Sequence, residues 1–175
     1  TIALTNTVGT IAFNGVVNAT SLTTAGNGYN VAVNASNSSI TNAVIFSNTG
    51  TVSLGSTNGT QTYIGGIVAT APSSTTLKGQ INTTNTAMTF GPVILGANTT
   101  LNTNATSNSA VITLGAVTGS SYSLTLNTGA NISGADVIGT SFNGTGSLNL
   151  QNIGGTASFS GGITAADLSL SLIHI

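Results

Sequence analysis

Two neighbouring stretches decide the fold: Ser109-Ala110-Val111-Ile112-Thr113-Leu114-Gly115-Ala116-Val117 and Tyr122-Ser123-Leu124-Thr125-Leu126-Asn127-Thr128-Gly129. Apolar and polar residues alternate in both, so Ile112 and Leu114 face one side of a strand and Thr113 the other. Gly115 and the Asn127-Thr128-Gly129 step close the runs with residues suited to turned, positive-φ backbone. Strands of three to five residues cannot bury their own apolar face, and isolated pairs of them are marginal. The pattern predicts strands buried by stacking on copies of themselves.

The copies are present. Gly9-Thr10-Ile11-Ala12-Phe13-Asn14-Gly15, Gly50-Thr51-Val52-Ser53-Leu54-Gly55, Thr86-Ala87-Met88-Thr89-Phe90-Gly91 and Gly155-Thr156-Ala157-Ser158-Phe159-Ser160-Gly161 repeat one phrase. Further alternating runs lie at Val31-Ala32-Val33 and Leu148-Asn149-Leu150. A second phrase carries Phe13 on to Leu22, Leu114 to Leu124 and Phe159 to Leu168. Repeats with a period of 20–50 residues signal stacked architectures. The expected fold is all-β: a parallel β-solenoid of about eight short coils, at roughly 20 residues per coil. Inward side chains should form columns, Gly and Asn should hold the corners, and uneven spacing should appear as loops of variable length. Phe13, Leu54, Phe90, Leu114 and Phe159 are expected to point inward at equivalent positions of different coils.

Composition narrows the alternatives. Thr, Gly, Ser and Asn fill 97 of 175 positions, and only one Lys and two Asp carry charge. One Lys cannot neutralise a phosphate backbone, which excludes a basic nucleic-acid binder. Scarce titratable groups argue against acid–base catalysis. No helical period appears, and Gly, Thr, Asn and Val in every window disfavour helices. Disordered chains pair low hydropathy with high charge, whereas this chain has positive mean hydropathy and a net charge of −1. A membrane barrel wants strands twice this length and aromatic girdles, and aromatics are 5% here. A β-sandwich, with turns every 8–12 residues, is the alternative fold.

The ends invite their own reading. Thr1 is followed by no basic n-region or signal peptide, so the chain is expected to begin inside a longer protein. The absence of Cys decides little about compartment. Residues 1–169 read as one repeat segment. Leu170-Ser171-Leu172-Ile173-His174-Ile175 resembles the in-frame translation of a sequencing-library adapter, and residues 170–175 are expected to be non-native.

Phe90-Gly91-Pro92-Val93-Ile94-Leu95-Gly96-Ala97-Asn98-Thr99-Thr100-Leu101, with the two opening stretches, resembles the repeats of bacterial beta-strand-repeat surface proteins. These are similar to filamentous haemagglutinins and autotransporter passenger adhesins. The resemblance is a texture over most of residues 1–169, clearest over 86–133. It implies a right-handed β-helix held at a Gram-negative cell surface, secreted and attached through other parts of a larger protein. It implies adhesion or a stalk, and transfers no active-site residue.

Side chains able to do chemistry are few. Lys78, Asp136, Asp167, His174 and Tyr29, Tyr63 and Tyr122 are the titratable side chains. A glycosidase needs two carboxylates about 5–10 Å apart, which only Asp136 with Asp167 would supply. Both read as solvated turn residues. No His/Cys/Asp spacing suits a metal, so no catalytic, cofactor or metal residue is expected. Asn-x-Ser/Thr triplets at Asn18, Asn34, Asn58, Asn82, Asn98, Asn104, Asn131 and Asn143 read as turns and Asn columns. Thr5-Asn6-Thr7, Thr60-Gln61-Thr62 and Thr84-Asn85-Thr86 suit an ice-binding face only if they stack in register. The expected function is a structural or adhesive segment without catalysis. The alternative is a solenoid that binds ice or glycans, to be distinguished by a flat rank of identical outward side chains. Cell-surface components or glycans are candidate partners, and open solenoid ends favour self-association; nucleic acid and membrane insertion are not expected.

Overall fold

The computed structural model describes residues 1–5, 7–106, 109–129 and 132–171. Twenty strands and no helix are found among them, and every strand pairing is parallel. The chain winds as a β-solenoid of about eight coils with three faces. The first face stacks Ile2–Leu4, Leu22–Thr24, Val44–Ile45, Ile67–Ala69 and Met88–Phe90, then 112–114, 137–139 and Ala157–Phe159. The second begins at Thr10–Phe13, Asn30–Val33 and Thr51–Leu54 and ends at Ile163–Thr164. The third runs from Asn18–Ala19 through Thr60–Tyr63 and Leu124–Asn127 to Asp167–Ser171. The strands Ser74–Asn82, Val93–Asn102, Ile112–Ser120 and Val137–Gly144 bend round a corner and serve two faces each.

Alternation places the core as expected. Ile112 and Leu114 are buried and Thr113 between them is half-exposed. Leu22, Val44, Ile67, Met88, Ile112 and Val137 form one inward column of the first face. Beside it runs Ala69, Phe90, Leu114, Gly139 and Phe159. A Cβ at Gly139 would collide with the Phe159 ring, so the missing side chain makes room for the large one next door.

The anchor positions need correction. Phe13 and Leu54 lie in a column of the second face, with Val33, Leu77 and Leu95. Phe90, Leu114 and Phe159 lie on the first face instead. The five anchors therefore occupy two inequivalent columns. The reason is physical: a small-apolar-small-apolar run before a glycine suits any inward strand entering a corner, and all three faces share that grammar. The second phrase divides likewise, since Phe13 to Leu22 runs from second face to first, while Leu114 to Leu124 and Phe159 to Leu168 run from first to third. Phe13 and Phe159 are only half-buried because they sit in the first and last coils.

Corner chemistry follows the Asn and Gly content. Asn37, Asn58, Asn85, Asn104 and Asn152 have positive φ, the conformation Asn tolerates best after Gly. Corner Asn side chains also bind the coil above. The Asn30 Oδ1 accepts the Thr51 N–H at 2.8 Å, and the Asn98 Oδ1 accepts the Ser123 N–H at 2.9 Å. Such bonds satisfy backbone donors that the ladder leaves open at the corners. Of the proposed tail, Leu170 and Ser171 continue the third face beside Leu150 and Gln151, and residues 172–175, with His174, lie outside the described residues.

Candidate functional site

The titratable side chains are dispersed. Asp136 precedes the first face in the seventh coil, and its Oδ1 accepts the Thr156 N–H of the next coil at 2.6 Å. It thus performs the service that Asn30 and Asn98 perform elsewhere. Asp167 is exposed at the start of the third face in the last coil, paired with Ser147. The two carboxylates stand at different corners. Among the described residues no three His, Cys, Asp or Glu side chains gather as metal ligands.

Tyr29 and Tyr63 are fully buried. The Tyr29 hydroxyl donates to the Leu4 carbonyl and accepts the Ala25 N–H, both at 2.9 Å. The Tyr63 hydroxyl donates to Gln61 Oε1, whose amide nitrogen donates to the Val33 and Ala35 carbonyls. Burial drives the Tyr63 hydroxyl well above the usual phenol range, because a phenolate there would lose its water. The sign follows: this contribution is complete below the unfolded Tyr value of about 10 and declines above it, where unfolding permits ionisation. The melting temperature should therefore begin to fall near about pH 10 and go on falling as the pH rises above it, and Tyr63→Phe should flatten that fall. An equal alkaline loss in the variant would remove Tyr63 from the account.

Outward side chains of the third face form ranks. Thr60, Gln80, Thr100, Thr125, Asn149 and Ser169 lie in register across six coils. Two residues on, Thr62, Asn82, Asn102, Asn127, Gln151 and Ser171 form a second rank. The side chains are polar, uncharged and mixed in kind. The Thr-x-Thr pairs do not stack: Thr60 and Thr62 lie on this face, Thr84-Asn85-Thr86 lies in a corner, and Asn6 is outside the described residues. Of the Asn-x-Ser/Thr asparagines, Asn82 stands in an Asn column with Asn102 and Asn127, whereas Asn131 is outside the described residues.

Beside these ranks the corner between second and third faces is notched. Coil four turns there on the single residue Lys78, and coil five on residues 96–98. Coil three uses residues 55–59 between strands at the same corner. The short turns leave a recess of 420 Å³ along five coils, lined by Asn58, Gln80, Asn98, Thr100, Thr125 and Asn149 among others. Gly79 has φ 65°, and a side chain there would strike the carbonyls of Ser56 and Gly59. The Lys78 side chain lies over Gly96, where a Cβ would come within 2.8 Å of its Cε. Sequence reading missed this recess, although the 18-residue step between the paired Thr75 and Val93, shorter than its neighbours, marks the tight coil. No protein-family model, no curated protein and no solved structure matches the chain.

Proposed function

We propose that the chain is a structural and adhesive repeat segment of a large secreted bacterial cell-surface protein, and that it does no catalysis. The observation that carries this is the uninterrupted stack: about eight coils whose apolar columns run from one end to the other. Each coil touches chiefly its neighbours, so such a stack lengthens without redesign, as a stalk requires. At about 4.8 Å per coil, eight coils project roughly 34 Å. The outer faces are Thr-, Asn- and Ser-rich and nearly uncharged, which suits contact with glycans or protein surfaces better than with nucleic acid. The separated carboxylates support the non-catalytic reading, since Asp136 is engaged as a corner acceptor.

Antibodies raised against the folded chain should label intact cells of the source bacterium before permeabilisation. Labelling only after permeabilisation would overturn the surface assignment. Glycan binding is the second reading, favoured by the recess at the third face, and the unstacked Thr pairs count against ice binding.

A further inference from the structure

We infer that the recess between the second and third faces binds an uncharged, hydroxyl-rich polymer: a neutral polysaccharide laid along the solenoid axis. Coil four turns on one residue, and Gly79, seated against the Ser56 and Gly59 carbonyls of coil three, brings no side chain into the recess. The recess measures 420 Å³, within the range of small-ligand sites. It extends over five coils, so its length is about 19 Å at the spacing of paired strands. A linear chain fits such a trough better than a compact ligand.

Chemistry selects the polymer. The lining offers amides at Asn58, Gln80, Asn98 and Asn149 and hydroxyls at Thr100 and Thr125. Gln80 Nε2 donates to Asn82, Asn98 Oδ1 accepts the Ser123 N–H and Asn149 Nδ2 donates to Thr125 Oγ1. Each amide nevertheless has two N–H donors and two oxygen lone pairs, so capacity of both kinds is left for sugar hydroxyls. These groups recur once per coil, a step close to the advance of one glycosyl residue. No lining side chain is charged, and the chain's single Lys lies folded over Gly96 at the margin. An acidic polymer would find one cation along the whole trough. The lining has no aromatic platform, so each sugar contributes modestly and affinity grows with the number of coils engaged.

The inference does not rest on the cell-surface assignment: cell labelling tests that, and polysaccharide binding tests this. Native gels cast with dextran, mannan or hydroxyethylcellulose, beside gels with alginate, supply the test. Retardation by at least one neutral polymer, insensitive to salt, is expected. The pair Thr100→Val and Thr125→Val keeps β-branched side chains on outward strand positions and so keeps the fold. It should weaken retardation about tenfold, by removing two hydrogen-bonding groups from the trough. Gln80→Ala, with circular dichroism confirming the fold, is the second variant and should weaken it less. No retardation of the folded protein by any neutral polymer would overturn the inference. So would retardation unchanged in both variants, or retardation by alginate alone that salt abolishes.

Discussion

Leu114→Asp will unfold the central coils, whereas Thr113→Asp, one residue away, will leave the solenoid folded. Leu114 is 2% exposed and stacks between Phe90 and Gly139 in the second inward column of the first face. Truncating a buried Leu to Ala costs about 2–5 kcal/mol through lost contacts and a cavity. A carboxylate at the same place costs more, because it must shed its water or take up a proton with no cation beside it. Whole-domain stability is only about 5–15 kcal/mol, so the substitution takes a large share of it. Thr113 pairs with Thr89 and Ile138 on the outer side, where a carboxylate keeps its hydration. Circular dichroism melts of Leu114→Ala, Leu114→Asp and Thr113→Asp make the comparison. Leu114→Asp should lose the β signal at room temperature, and Thr113→Asp should melt within a few degrees of the parent, as exposed substitutions do. Equal damage from both aspartates would place the strand in the wrong register.

That contrast also marks how far the sequence could be read. The period-2 alternation at residues 112–114 fixes which side faces in, because one face of the strand is buried and a slip of one residue would reverse every side chain. Corner residues were legible for the same reason: few residues other than Gly and Asn accept positive φ, and Asn58, Asn85 and Asn104 do so here. Column membership was not legible. Leu54 and Phe90 carry the same local phrase yet stand on different faces, since the number of residues spent at each corner decides where a strand lands. That number depends on what the neighbouring coil offers. Lys78 alone makes a corner because Gly79 lies against the coil-three turn at Ser56 and Gly59. The recess escaped sequence reading on the same account, because its walls are contributed by residues scattered from Asn58 to Asn149.

The isolated chain will associate head to tail into elongated particles, and charging one end will stop it. In the last coil Leu168 is 46% exposed, Leu170 58% and Ile163 39%. With Leu150, Ala157 and Phe159 they line an apolar recess of 530 Å³ at that end of the stack. Among the described residues, Ala157–Phe159, Ile163–Thr164 and Asp167–Ser171 are paired on one side only. At the opposite end Ile2–Leu4, Thr10–Phe13 and Asn18–Ala19 are likewise paired on one side. Parallel strand edges of this kind invite a further strand. A net charge of −1 supplies almost no repulsion between copies. Head-to-tail stacking continues all three parallel ladders, whereas joining two identical ends would reverse the strand direction across the junction. The contact is therefore heterologous and does not close, so growth continues beyond a dimer. Light scattering should report a mass that rises with concentration, and electron microscopy should report rods rather than rings. Each junction needs one C-terminal end, so Leu168→Lys with Leu170→Lys should return the protein to its 17.0 kDa monomer by placing two like charges where burial would strip their water. A parent chain that stays monomeric at millimolar concentration would sink the stacking model. A species that stops at dimer would replace it with pairing of identical ends.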